Sequence, residues 1–486
     1  MVRILFLWYN YRTSGGVDMN LPDIKEARKR SKKEVEHIYL DQHYDKNSFK
    51  NKKYFLRTYG CQMNVHDSEE IAARLESLGF KNTDMLEEAD IIILNTCAIR
   101  ENAHDKLYGF LGRCKHVKSI DKNKIIGICG CMAQEEGVVK ELMKKHPYVD
   151  IMFGTHNIHE LQDLILERSK KQNVRVYSCE GDVYENVEYK RDSNIKAWVN
   201  IQYGCDKFCT YCIVPYTRGK QRSRKSIEII KEVKDLVKKG YKEVTLLGQN
   251  VNAYGKDLDG ELSFAELLQS VADTGIERVR FVTSHPWDFT DEMIDVIAKN
   301  DNIMNYIHLP LQSGSNNILK RMGRRYTKEE YIELFNKIKN RIEDVAVTTD
   351  IIVGFPNETE EDFNDTIDVV NTCKYDSAFT FIYSPREGTP AAKMEDSIDI
   401  KTKEERLHEL NELVNKYSLE NNKKYEGKVV KVLIEGISEK DDNKVFGYTE
   451  TMKLVNVDNA KDDIGRIINV KINVAKSFSL DGEKCE

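Results

Sequence analysis

From residue 53 onward, short apolar runs alternate with stretches whose apolar positions recur every three or four residues. The runs at 54–58, 91–95 and 125–129 have the length and branched content of buried strands, and the segments near 68–78, from about 100 and from about 134 carry the helical period. Strand and helix in alternation predict a parallel α/β sheet, because parallel neighbours need a crossover of helix length. After an acidic, tyrosine-bearing linker at 179–192 the rhythm resumes, with strands expected at 197–202, 243–247, 279–283, 306–311, 345–353 and 379–383. Helical patterns such as 227–239 and 360–370 separate them. Six such units predict a full or partial barrel with its chemistry at the carboxyl ends of the strands. A helix over 404–419, with Leu407, Leu410, Val414 and Tyr417 at helical spacing, closes this unit by packing. From 427 the texture changes to β runs at 429–434, 445–449, 453–457 and 467–474 broken by turn residues, the pattern of a small β-barrel. The expected fold class is α/β. Its expected organisation is an extension at 1–51, a parallel α/β domain at 52–170, a linker at 171–190, the central barrel at 191–423 and the small β-barrel at 424–486.

A chain of 486 residues, 40% of them hydrophobic, is long enough for about three such domains. Eleven cysteines, an odd number behind no secretory segment, argue for thiols kept reduced or metal-bound in the cytoplasm rather than for disulfides. The apolar opening at 1–9 is short, lacks a small-residue cleavage site and reads as neither signal nor anchor. Residues 1–18, ahead of Met19, read as a dispensable extension, and the charged stretch 20–50 as poorly ordered. No run approaches the ~20 apolar residues of a membrane span, so no membrane partner is expected. A net charge of -6 gives no global attraction for a polyanion. Two local cationic clusters remain, one of Arg218, Lys220, Arg222, Arg224 and Lys225, the other of Lys320, Arg321, Arg324, Arg325 and Lys328. Taken singly, each is also what a solvated face looks like.

Candidate chemistry lies in the cysteines. Cys205, Cys209 and Cys212, in Tyr-Gly-Cys-Asp-Lys-Phe-Cys-Thr-Tyr-Cys, supply three thiolates in a tight loop. Iron–sulfur clusters are normally held by four, so this loop can grip a cubane and leave one iron open to a substrate. A structural zinc site would need a fourth ligand, and none lies nearby in sequence. Cys61, Cys97 and Cys131 each fall just past an expected strand of the first domain. The carboxyl ends of parallel strands share one edge, where these three converge as a second site. Cys129 is a competing ligand, two residues from Cys131 and on the same side of an extended strand; Cys131 is favoured because it lies beyond the strand. Cys114, Cys179, Cys373 and Cys485 read as small buried hydrophobes. Polar residues recur past the strands of the barrel, at Gln249, Asn250 and Asn252, at Ser284 and His285, at Gln312 and Ser313, and at 354–358, which predicts a pocket at its mouth.

The Cys-x3-Cys-x2-Cys loop, with Tyr211 before its last cysteine, resembles that of the radical S-adenosylmethionine (SAM) enzymes. With Tyr59-Gly60-Cys61-Gln62-Met63-Asn64, Asn95-Thr96-Cys97 and Gly130-Cys131, the chain resembles their methylthiotransferases from about residue 52 to the C-terminus. The stretches 95–103, Val214-Pro215-Tyr216-Thr217-Arg218-Gly219 and Thr283-Ser284-His285-Pro286 are most similar to the branch that adds a methylthio group to C2 of N6-dimethylallyladenosine at tRNA position 37. The resemblance implies an N-terminal cluster domain, a radical SAM partial (β/α)6 barrel and a C-terminal TRAM β-barrel. It implies two [4Fe-4S] clusters, an auxiliary one on Cys61, Cys97 and Cys131 and one on Cys205, Cys209 and Cys212 that binds SAM. A radical from SAM would take the C2 hydrogen, and the auxiliary site would carry the sulfur.

Implied partners are a tRNA anticodon arm, an electron donor such as flavodoxin or ferredoxin, and a sulfur donor. Gln249, Asn252, Ser284, Gln312 and Gly354 become candidate SAM contacts, and Arg218, Arg222, Arg321 and Arg325 candidate contacts to tRNA phosphates. The TRAM segment, 424–486, holds 11 Lys+Arg against 12 Asp+Glu and so has no net positive charge of its own. Rival readings are a sister methylthiotransferase acting on threonylcarbamoyladenosine or on a ribosomal protein, and a non-catalytic iron–sulfur RNA-binding or redox protein. The stretches 95–103 and 216–219 disfavour the sisters by resemblance, and a polar barrel mouth disfavours a mere carrier.

Overall fold

In the computed structural model, six parallel strands in the order Lys81–Asn82, Lys53–Thr58, Ile91–Thr96, Ile125–Gly130, Ile151–Phe153 and Asn173–Arg175 form the first sheet. The structure describes residues 35–98, 101–167, 173–176 and 181–485; segment 1–18 and Cys179 lie outside them. The two central strands are buried at every position because helices cover both faces. Ile91 and Ile93 meet Ile71 and Leu75 of helix Gln62–Ser77 on one side, while Ile92 and Leu94 meet Leu107 and Leu111 of helix Glu101–Ile120 on the other. Strands Lys81–Asn82, Ile151–Phe153 and Asn173–Arg175 are too short to stand out as apolar runs. The last of them extends this sheet into the segment expected to be linker.

Residues 35–50 also depart from expectation. His37–Tyr39 pairs in parallel with Val183–Glu185, and Phe49 stacks on Phe80 at 4.5 Å, so this charged stretch is held by backbone pairing and one aromatic contact.

All six expected barrel strands form. Lys196–Asn200, Glu243–Leu247 and Arg278–Phe281 make one parallel sheet, and Tyr306–His308, Ala346–Val353 and Ser377–Ile382 a second. Between them, Val279 forms an isolated parallel bridge to Ile303, just ahead of strand Tyr306–His308. Among the described residues no ladder joins the first strand to the last, so the barrel is partial. Val199, Val244, Leu246, Phe281, Ile307 and Ile351 face the helices and form the large central core. The alternate positions turn inward, where Arg280 donates to Thr245 Oγ1 at 3.2 Å and His308 bonds Thr348 Oγ1 at 3.0 Å.

Helix Ile400–Lys423 packs Leu410, Val414 and Tyr417 against the barrel and leads into a closed five-stranded barrel of order Val429–Ser438, Asp441–Thr449, Leu454–Asp458, Leu480–Lys484 and Ile467–Ala475. Strand Leu480–Lys484, which closes it, has a polar sequence that carries no strand signal. This small barrel docks at the amino ends of the central strands, the end opposite the cysteine loop. There Arg278 donates to Tyr448 O at 2.8 Å and Lys431 O at 3.2 Å, and Lys453 pairs with Asp376 at 2.9 Å. Among the described residues no helix is long and apolar enough to cross a membrane.

Candidate functional site

The first sheet ends its strands level, since Thr58 pairs with Asn95 and Asn95 with Cys129. Each chain then leaves by a turn that carries a cysteine. Cys61 is the N-cap of helix Gln62–Ser77, behind Gly60 at φ 128, where a Cβ would sit 2.6 Å from that of Cys97. Asn64 and Asn95 lock these two turns together. Asn64 Nδ2 donates to Asn95 Oδ1 at 3.1 Å and Thr96 O at 2.9 Å, and Asn95 Nδ2 to Asn64 O at 2.8 Å and Ser68 Oγ at 2.9 Å. Gly130, at φ 92, lies so close under the neighbouring strand that a Cβ would meet Thr96 O at 2.3 Å. Its turn parts the two competing cysteines. Cys129 joins the core with Tyr54, Ile71 and Leu75, while Cys131 begins a single-turn helix and packs with Ala98, Ile213 and Tyr216. Burial pushes the Cys131 thiol up to about 12; nearby Arg218 opposes this, and the Cys97 and Cys61 sulfurs add to it.

The second set sits past strand Lys196–Asn200. Gly204, at φ 67, admits Lys220 O within 1.9 Å of where a Cβ would stand, and Phe208 takes φ 50 inside the loop. Cys205 N donates to Gly219 O at 3.1 Å and Cys212 N to Cys209 O at 3.0 Å. The loop is pinned between two later segments, because Thr210 N donates to Met322 O at 2.9 Å and Ala391 N to Thr210 O at 2.9 Å. Burial pushes the Cys212 thiol up to about 12 and that of Cys205 higher still, with the neighbouring sulfurs contributing to both. Among the described residues no three Cys, His, Asp or Glu side chains close on a single-ion position. A cubane bonds each thiolate to a separate iron and needs a wider triangle than one ion does.

A buried arginine serves each cysteine set. Arg218, 4% exposed, crosses from the barrel to the first domain, where Nε lies 3.3 Å from Cys131 Sγ and Nη2 pairs with Asp67 at 2.6 Å. Arg324 places Nη1 at 3.5 Å from Cys209 Sγ while donating to Tyr326 Oη at 3.0 Å and Pro310 O at 3.2 Å. The expectation that Arg218 and Arg222 meet phosphates is therefore corrected. Arg222 is buried beside Arg218 O at 3.1 Å, and Arg224 pairs with Glu185 and Glu232. The cationic run after the loop is the seam between two domains. Of the other expected phosphate contacts, Arg321 is half-buried and donates to Asn357 O at 3.3 Å, and Arg325 is exposed.

The mouth residues divide as well. Both ends of the Asn252 amide bond the backbone of His285 at 2.9 Å, Ser284 Oγ donates to His308 O, and Gly354 N donates to Glu358 Oε2 at 2.8 Å. These groups brace loops against one another. Gln312, at φ 71, bridges Asp350 O and Ile352 N with its backbone. Gln249 Oε1 is buried with no partner among the described residues, as are both amide atoms of Gln202. Orphaned polar atoms at a mouth fit a polar ligand that would complete them. Gln202 was missed in the sequence because it ends an expected strand and so reads as ladder, not as mouth.

An open parallel barrel with a three-thiolate loop at its mouth defines the class, a radical SAM enzyme. Residues 199–370 match the Radical SAM superfamily, 53–154 the Uncharacterized protein family UPF0004 and 423–485 the TRAM domain. The fold is similar to that of a solved radical SAM methyltransferase, TsrM from Kitasatospora setae with cobalamin and a [4Fe-4S] cluster bound, at TM-score 0.52 and 13% identity over 70% of this chain and 74% of that one. Among curated proteins, the tRNA-2-methylthio-N(6)-dimethylallyladenosine synthases of Bacillus cytotoxicus and Bacillus subtilis are 54% and 53% identical over 96% and 95% of this chain and 92% of each relative. That of Staphylococcus epidermidis is 52% identical over 95% of this chain and 91% of its own length. The chain belongs to the family of tRNA-2-methylthio-N(6)-dimethylallyladenosine synthases, and its membership of this radical SAM family implies SAM and [4Fe-4S] clusters as cofactors.

Proposed function

We propose that this protein adds a methylthio group to C2 of N6-dimethylallyladenosine at position 37 of tRNA, beside the anticodon. The observation that supports this reading is Arg218, which follows the Cys205–Cys212 loop of the barrel and reaches Cys131 and Asp67 of the first domain. Cys205, Cys209 and Cys212 would hold the cluster that binds SAM, and Cys61, Cys97 and Cys131 the auxiliary cluster. Adenine C2–H is too weakly acidic for acid–base removal, so the bound cofactors would supply a carbon radical to take the hydrogen, a sulfur to replace it and, from SAM, the methyl group that the sulfur carries.

The chain's own side chains supply position. The Gln202 amide and the Gln249 amide oxygen are open to a polar ligand in the mouth, and the Asn252–His285 brace keeps two mouth loops at one separation. Arg218 and Arg324 each aim an N–H at a cysteine sulfur, which orients that side chain and would offset the charge of a cluster held there. A one-electron donor such as flavodoxin or ferredoxin, a sulfur donor and a cytoplasmic setting complete the proposal.

The test is mass spectrometry of nucleosides from the tRNA of a deletion strain. Accumulation of N6-dimethylallyladenosine with loss of its 2-methylthio form is expected; unchanged tRNA overturns the reading.

A further inference from the structure

Trp287 stands 46% exposed at the rim of the barrel mouth. Its backbone is fixed in the single turn Pro286–Asp288, where the Trp287 backbone N–H donates to His285 Nδ1 at 3.3 Å. An indole half in water forgoes the apolar burial and stacking that its area could give. Two cations lie over its ring, Lys207 Nζ at 4.5 Å and the Arg325 guanidinium at 4.7 Å from the centroid. Lys207 belongs to the cysteine loop itself, two positions from Cys205 and two from Cys209. The acids nearby are already engaged. Asp288 is buried and paired with Lys207 at 2.5 Å and Lys256 at 2.8 Å, while Asp206 accepts from Gln221 N and Asp257 from Ser223 N. Asp288 thus neutralises Lys207, and exposed Arg325, in no ion pair among the described residues, is the cation left to meet a ligand beside the indole.

We propose that Trp287 and Arg325 form a docking platform for an unpaired nucleotide of the RNA loop, its base stacked on the indole and its phosphate met by the Arg325 guanidinium, while Lys207 is held against the ring by its pair with Asp288. The inference rests on the tRNA reading and adds a contact outside the reaction pocket. Every base has a π-face, so such a platform holds a neighbour of the modified base without reading its identity, and it would keep the loop splayed open at the mouth.

The experiment titrates the cluster-loaded enzyme with an anticodon stem–loop RNA carrying N6-dimethylallyladenosine, with indole fluorescence and filter retention as readouts. Trp287→Ala is expected to weaken binding on the order of 5- to 150-fold, the range of about 1–3 kcal/mol for one stacked base. Trp287→Phe should retain most of the affinity and lose most of the RNA-dependent quenching, since the chain has only 3 tryptophans. Arg325→Ala should lower the slope of log Kd against log salt by about one. Iron content and unfolding midpoint, measured alongside, report whether each variant has folded. Wild-type affinity in Trp287→Ala with undiminished quenching in Trp287→Phe would overturn the platform alone. Failure of the unaltered enzyme to bind the stem–loop would overturn the tRNA reading and the platform with it.

Discussion

Arg218 ties two domains together, because one guanidinium touches a cysteine of the first domain and a carboxylate beside it while its backbone belongs to the barrel. Removing it leaves Asp67 charged and unpaired inside the protein. Arg218→Met should therefore cost about 3–5 kcal/mol, and Arg218→Met with Asp67→Leu should regain most of that loss. Calorimetry of the three proteins checks this, and a single variant that melts like the parent would refute it. Cys97 poses the complementary question. It is fully buried behind Gly60, far in sequence from the barrel loop, and its loss should disable only one of the two sets. Cys97→Ala should leave SAM cleavage measurable, read as 5′-deoxyadenosine, while abolishing thiolation. Loss of cleavage together with loss of the barrel cluster would show that the two sets are not separable.

At the scale of elements, the loop after strand Ala346–Val353 shows how a mouth is held open. Glu358 lies inside this loop, where it accepts from Gly354 N and pairs with Arg406 at 3.0 Å. Burial nonetheless outweighs both and pushes its carboxyl from the ordinary 4.5 up to about 7. A carboxyl whose folded pKa is raised binds more protons folded than unfolded. Its contribution is thus complete below pH 4.5 and is lost as pH rises through about 7. Glu358→Gln should flatten the fall in stability across that window, measured by denaturant unfolding at successive pH values. Arg406 would still donate to the residue 358 carbonyl at 3.1 Å and to Glu360 at 3.2 Å, which limits the damage. An unchanged pH profile would count against Glu358 as the titrating group.

For the whole molecule, the two ends of the central barrel have different tasks. The cysteine loop and the first domain meet at the mouth, and the C-terminal barrel closes the floor. Its contacts there are not loose. Arg278, 2% exposed, depends on Tyr448 O and Lys431 O for its hydrogen bonds, and Asp376 takes its nearest cation, Lys453, from the small barrel. Removal of residues 424–486 should therefore lower the unfolding midpoint of the remainder as well as weaken tRNA binding, because charged groups lose buried partners. An unaltered midpoint would mean that the module acts on RNA alone.

By itself the sequence determined the alternation of strand and helix in the first domain, the six units of the barrel and the family resemblance, and it singled out the two cysteine sets as candidates. Hydrophobic period and ligand spacing are local, and neighbours along the chain are enough to express them. It left open whether Cys129 or Cys131 faces the site, a choice made by the turn at Gly130 under the neighbouring strand. It also read the charges after the cysteine loop as outward-facing, and it passed over Gln202, Trp287 and strand Leu480–Lys484. Only the tertiary structure decided these. Whether an arginine meets water, a carboxylate or a thiolate depends on which distant segments close over it, and Asp67 and Cys131 reach Arg218 from 151 and 87 residues away.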